Sequence, residues 1–361
     1  MIRKLNLSNF RNFKSKHLEF SEKITTIVGP NASGKTNILE ALFLLSTGKS
    51  FKARVESEML HYGKELARIS GENCPAEQDL ALPEKLESII TKGDNGWPKK
   101  KLLVNGVPKR MIDFAGNFKT VLFGPWDMDL VTESPSLRRR FLDTVLSQVD
   151  REYRRSTLSY EKGLRQRNRL LFRIREEGIP RSQLLFWNQL LIKSGDYITQ
   201  KREEFIDFVN SADRLQTDCI ATRAGYSLEY DRSVISEGRL EQYKDEEIAA
   251  ATTLVGPHRD DFIFKIQDSR FKIQNSRNLS SYGSRGEQRM GVLWLKMAEL
   301  NFIEEKTGER PTLLLDDIFS ELDHEHREIV MILSKKQQTI ITTADEHFLE
   351  GFKSKDIINL K

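Results

Sequence analysis

The sequence predicts an α/β fold: mixed sheets carrying a glycine-rich loop, with a helical lobe inserted in the middle of the chain. Three observations predict it. A β-branched run, "KITTIVG", ends at glycine and is followed after "PNAS" by "GKTNILEALFLLSTG", where Ile38, Leu42 and Leu45 recur at helical spacing. From about Ser136 the apolar period becomes helical and stays so for some 70 residues. From about Leu254 short strand-like segments return.

The elements follow in order. "MIRKLNLSNFRNFKSKHLEF" alternates apolar and polar residues, as strands packed on one face do. The run 24–28 reads as a strand, 29–36 as a loop, and the next stretch as a helix stopped by Gly48. In "KKLLVNGVPKRM", Asn105-Gly106 between two apolar stretches signals a hairpin. Pro125 ends a strand in "VLFGP". "SLRRRFLDTVLSQVDREYRRS" puts Leu142, Val145, Val149 and Tyr153 on one helical face, and a second helical pattern follows Pro180. "TLVG", "DFIFKIQ", "RPTLLLDD" and "QTIITTAD" read as strands. The expected divisions are 1–125, a lobe carrying the glycine-rich loop; 126–250, a mainly helical lobe; and 251–361, completing the core of the first lobe.

Composition excludes some classes. The 361 residues suffice for two or three packed cores, and a net charge of +4 permits an anionic partner without demanding one. Cys74 and Cys219 form no CxxC and read as reduced thiols. No stretch of about 20 apolar residues exists, so a soluble cytoplasmic protein without membrane contact is expected.

"GPNASGKT" (29–36) matches the phosphate-binding pattern G-x-x-x-x-G-K-[ST], and it lies between a strand and a helix as that pattern requires. Its glycines let backbone N–H groups wrap phosphates, and the helix start adds positive potential. Lys35 is suited to the β- and γ-phosphates of a nucleotide, and Thr36 to Mg²⁺. "TLLLDD" delivers Asp316 and Asp317 at the end of a buried-type strand; the first suits Mg²⁺ and the second an attacking water. Ser284, Gly286 and Glu287 open an amphipathic helix, which reads equally as an anion site or an ordinary cap. His258, Asp260 and Asp261 in "GPHRDD" lack metal-ligand spacing and read as a turn that organises the lobe interface through Arg259. Between Arg138 and Arg175 stand twelve basic and four acidic residues, which suits a phosphate backbone, though "RRR" at 138–140 also reads as packing inward.

The order of these pieces carries a resemblance. Phosphate loop, then "SRGEQ", then "LLLDD", then "SELD" resembles the ATP-binding-cassette ATPases, and "GKTN" with "LSNFRNF" resembles their chromosome-maintenance branch. "SPSLRRRFLD", "LVGPHRDD" and "SRGEQR" look like the RecF family. The resemblance implies an ATP-binding-cassette head that hydrolyses ATP slowly with Mg²⁺, stimulated by DNA. Gly29, Pro30, Asn31, Ala32, Ser33, Gly34, Lys35, Thr36 and Asn37 would form the nucleotide loop, with Arg11 reaching in from the side. Ser284 and Gly286 would touch the γ-phosphate held by a second copy, so that ATP closes a head-to-tail homodimer on single-strand/double-strand DNA. Hydrolysis would release it, aiding recombinase loading and SOS induction with RecR and RecO. The chain departs from the pattern in three places. Asp317 stands where a glutamate is usual, no glutamine follows "VLFG", and no histidine ends "TIITTAD", although His347 is near. A transporter ATPase subunit or another chromosome-maintenance head is the alternative; a transporter subunit needs the missing glutamine loop.

Overall fold

A computed structural model describes residues 1–74, 83–93, 98–211, 224–268, 276–320, 322–344 and 356–360. Cys219, Glu321 of "SELD", Asp345 and His347 lie outside the described residues. In chain order the strands are β1 (Ile2–Phe10), β2 (Phe13–Glu19), β3 (Ile24–Val28), β4 (Leu66–Asn73), β5 (Glu84–Thr91), β6 (Lys99–Val104), β7 (Val107–Lys109), β8 (Thr120–Phe123), β9 (Ala224–Asp231), β10 (Asp261–Asp268), β11 (Arg277–Asn278), β12 (Thr312–Asp316), β13 (Thr339–Thr343) and β14 (Asp356–Asn359). The principal helices are α1 (Lys35–Thr47), α2 (Pro135–Val149), α3 (Arg151–Glu177), α4 (Leu185–Asn210), α5 (Arg285–Thr307) and α6 (His324–Ser334).

The described residues divide into two compact units. The first holds 1–127 and 296–361, the second 128–211 and 224–295. The chain therefore returns to the first unit inside α5, at Leu295–Lys296, and not at 250/251 as the sequence suggested. The strands of 224–278 pair among themselves as β11-β10-β9, which keeps them with the helical unit.

In the first unit, β2-β1-β4-β5-β6-β7 form an antiparallel sheet and β14-β3-β13-β12-β8 a parallel one. Helix α1 packs on β4 and β5 of one and on β8, β12 and β13 of the other. That explains its composition: Ile38, Leu39, Leu42, Leu44 and Leu45 are fully buried, so apolar residues face both sheets. Asn105-Gly106 makes the expected hairpin between β6 and β7, both residues having positive φ (51° and 78°).

Two expectations change in the second unit. The single helix expected across 136–156 breaks at Asp150, whose carboxylate accepts from the Tyr153 N–H and caps α3. "TLVG" is a loop, not a strand. Its amides are taken by side chains: Thr253 N donates to Asn168 Oδ1 (2.9 Å) and Leu254 N to Glu247 Oε1 (2.8 Å), leaving no ladder to join. Helices α3 and α4 form a hairpin that packs closely where Gly163 meets Leu191 and Gly195 meets Tyr160.

Candidate nucleotide and metal site

The parallel sheet builds the site at the carboxyl ends of its strands. β3 leads into the loop 29–34, and α1 begins at Lys35. The turn needs left-handed backbone at Ala32 (φ 66°) and Gly34 (φ 105°). At Gly34 a Cβ would come within 2.6 Å of the Asn12 amide, so glycine is required twice over, by φ and by space. No side chain caps α1, which leaves its first N–H groups to an anion. Lys35 is buried and its Nζ donates to the Gly29 and Pro30 carbonyls (2.7 and 3.0 Å), folded over the loop's interior. The Ser33 hydroxyl is buried without a hydrogen-bond partner. Gly29, Pro30, Asn31, Ala32 and Ser33 supply the loop itself, and Asn37 Nδ2 donates to Asn12 Oδ1 at 2.9 Å.

Strand β13 separates β3 from β12, yet α1 reaches across it: Thr36 Oγ1 donates to Asp316 Oδ2 at 2.8 Å. Sequence reasoning placed these two oxygens on one ion from motifs 280 residues apart, and the fold brings them together. Hydroxyl and carboxylate oxygens are hard donors that suit Mg²⁺, which keeps several waters and needs few protein ligands. Among the described residues no cluster of three or more His, Cys, Asp or Glu offers a different metal site.

Thr342 was not foreseen. It lies opposite Asp316 in the parallel register and donates to Asp316 Oδ1 at 2.6 Å, while Asp317 N donates to the Thr342 carbonyl at 3.1 Å. One threonine thus orders both aspartates. Asp317 itself turns off the strand with φ 48°. A glance along "TIITT" gives no reason to single out this hydroxyl; only strand register does.

Arg11 is placed differently from its expected role. Its guanidinium grips the fully buried Glu40 of α1 with two hydrogen bonds, 2.7 and 2.6 Å, and also donates to the Glu58 carbonyl at 2.6 Å. Burying Glu40 demands a fixed cation beside it. Arg11 meets that demand, and its neighbour Asn12 touches the loop instead, donating to Ser33 O at 3.0 Å.

Ser284 and Gly286 belong to the second unit, at the start of α5. Ser284 N donates to Glu287 Oε2 (2.7 Å) and Glu287 N to Ser284 Oγ (3.3 Å), a reciprocal capping box. The cap reading therefore holds. It does not exhaust the segment, because Ser284, Arg285 and Gly286 are exposed and a Cβ on Gly286 would meet nothing within 4 Å. The chain itself has no need of glycine there.

A family model for the RecF/RecN/SMC N-terminal domain matches residues 1–360. The DNA replication and repair protein RecF of Herpetosiphon aurantiacus is 35% identical over 98% of this chain and 96% of its own length. That of Ligilactobacillus salivarius is 34% identical over 95% and 90%. The chain belongs to the RecF family. A solved structure of the recombination mediator protein RecF-ATPrS in the RecFOR pathway superposes with a TM-score of 0.85 at 31% identity, covering 99% of this chain and 97% of that one. An Smc head domain from Pyrococcus furiosus shares the fold, with a TM-score of 0.53 at 17% identity.

The RecF-like motifs of the second unit serve its internal architecture. Arg138 of "SLRRRFLD" grips Asp261 of "GPHRDD" at 2.6 and 2.9 Å, and Arg139 donates to the Asp260 carbonyl at 2.8 Å. So "RRR" packs inward through its first two members, within its own unit. Asp260 is fully buried and also meets Arg202 (2.8 Å) and Tyr230 (2.6 Å). His258 Nε2 donates to the Thr253 carbonyl at 3.0 Å, and its Nδ1 lies 2.8 Å from the Tyr160 hydroxyl. Burial, chiefly, pushes its pKa down to about 4. Arg167, another member of the basic run, is buried against Glu247 (2.6 Å), Thr253 and Asn188.

Proposed function

We propose that this chain is an ATP-dependent DNA-binding protein of recombinational repair and replication restart, a weak DNA-stimulated ATPase whose closed form is a head-to-tail homodimer. The observation that carries the reading is the Thr36–Asp316 contact beneath an uncapped helix start, with Lys35 already folded over the loop. In it the amides of 29–36 and Lys35 hold the phosphates of ATP, and Thr36 and Asp316 hold Mg²⁺. The metal supplies charge neutralisation when bound. Asp317, fixed by Thr342, orients and polarises the attacking water. Ser284 and Gly286 approach the nucleotide of a second copy. Curated relatives named for DNA replication and repair, and neighbours solved as RecF-ATP in the RecFOR pathway, support DNA as the partner and RecR and RecO as fellow mediators; the DNA form in this reading is gapped or junction DNA. In this reading residues 1–125 and the end of the chain bind nucleotide, and the helical lobe serves DNA. No helix among the described residues is long and apolar enough to cross a membrane.

Replacing Lys35 with Met keeps the stem and removes the charge. Loss of a charge-assisted bond of about 1.5–3 kcal/mol corresponds to a roughly 10- to 150-fold weaker ATP affinity. Isothermal titration with ATP and Mg²⁺, beside ATP-dependent retention of duplex DNA, reads both steps. A Lys35→Met protein that binds ATP and holds DNA like the parent contradicts the proposal.

A further inference from the structure

The structure sorts the basic run of 138–175 into two sets. Arg138, Arg139 and Arg167 are committed inside the unit, and Arg154 donates to the Ser147 carbonyl. Apart from Arg140 on α2, the rest lie on α3, where Arg151, Arg155, Lys162, Arg165 and Arg169 are all exposed. At 100° per residue these five fall within about 40° of a common line, one face of the helix. The two acids of 151–175, Glu152 and Glu161, project about 80–100° from that line. Among the described residues, Lys162, Arg165 and Arg169 have no hydrogen-bond or ion-pair partner, and Arg155 has only Glu152 at 3.7 Å.

A solvated helix face normally mixes signs, because i,i+4 acid–base pairs stabilise it and like charges repel. Lys162, Arg165 and Arg169 forgo those pairs across two turns of α3, and Arg155 has only the long contact to Glu152. Pairing does appear where the stripe ends: Arg173 bonds Glu177 at 2.9 Å and Arg175 bonds Glu176 at 2.7 Å. Such a row of exposed cations along a rigid rod is built for a row of regularly spaced anions. From Arg151 to Arg169 the helix rises about 27 Å. That equals roughly eight base-pair steps of duplex at 3.4 Å each.

We infer that the outer face of α3 is a sequence-independent contact for the phosphate backbone of double-stranded DNA, made by Arg155, Lys162, Arg165 and Arg169 with Arg151 at its end. The inference rests on the DNA-binding reading above and names the surface. The test is a quadruple replacement, Arg155→Ala, Lys162→Ala, Arg165→Ala and Arg169→Ala. All four side chains are exposed, so the fold is expected to survive, which circular dichroism and ATP affinity without DNA will verify. Each phosphate contact contributes about 0.9 to the slope of log K against log salt, so the slope should flatten by about 3.6 for unrelated duplex sequences alike. A parent that binds duplex with a variant of unchanged slope overturns the stripe while leaving the DNA reading intact. A parent that binds no DNA with ATP overturns both. A variant that keeps its DNA affinity but loses RecR marks the face as a protein contact and equally overturns the inference.

Discussion

At the scale of single residues, the proposed hydrolysis turns on Asp317. It is one methylene shorter than the glutamate usual at this position, and it leaves β12 in the left-handed region, tied to Thr342 through its backbone. Asp317→Asn keeps the shape and the backbone tie but removes the charge that polarises water. Phosphate release should fall by roughly 100-fold, the lower range for losing a general base. ATP binding should persist, since Asp316 and Thr36 are untouched, and the DNA complex should live longer in ATP. Normal hydrolysis by this variant would place the base elsewhere. The residues of the loop and Asp316 were legible because their motif spells out backbone geometry. Thr342 and Glu40 were not, since each acquires its role from a strand register or a buried charge that a linear reading does not contain. Arg11 entered as a nucleotide contact through the resemblance alone, and its pairing with Glu40 was hidden for the same reason.

Between residue and molecule stands the loop 253–260, which the sequence suggested as a strand followed by a turn. It is neither regular nor loose. Asn168 and Glu247 take its first amides, and His258 is pinned between Tyr160 and Thr253. His258 titrates near 4 in the folded chain against about 6.5 when unfolded. The unfolded chain therefore binds more protons between those values, so stability is complete above pH 6.5 and falls as pH drops towards 4. The 2.5-unit gap sets an upper bound of about 3 kcal/mol on the loss. Urea denaturation of the parent between pH 7 and 4.5, beside His258→Gln, measures it. The variant should show a shallower pH slope; equal slopes would mean that the ring is not held neutral. Elements with strong period or turn chemistry were readable: β1–β3, α1, the Asn105-Gly106 hairpin, β12 and β13. β4, β5 and β9 were not singled out. Their identity comes from pairing with β1, β6 and β10 and not from a local pattern.

For the whole molecule, the account requires two copies. Lys35 lies in the first compact unit and Gly286 in the second, and glycine at 286 meets no need of its own chain. In the proposed reading, a second copy covers that bare surface. This also supplies a cleaner variant than one at Ser284, whose hydroxyl caps α5 and whose loss costs about 1 kcal/mol on that account alone. Gly286 has space for a side chain, and glutamate near a helix start is itself favourable. Gly286→Glu should therefore fold and bind ATP as the parent does, yet set a negative charge against the partner's γ-phosphate. The decisive measurement is sedimentation velocity of parent and Gly286→Glu, each with and without ATP and Mg²⁺. The account predicts that the parent is a monomer alone and a dimer with ATP, and that the variant, saturated with ATP, stays a monomer. A variant that dimerises with ATP as readily as the parent, or a parent that remains monomeric when saturated, would contradict it.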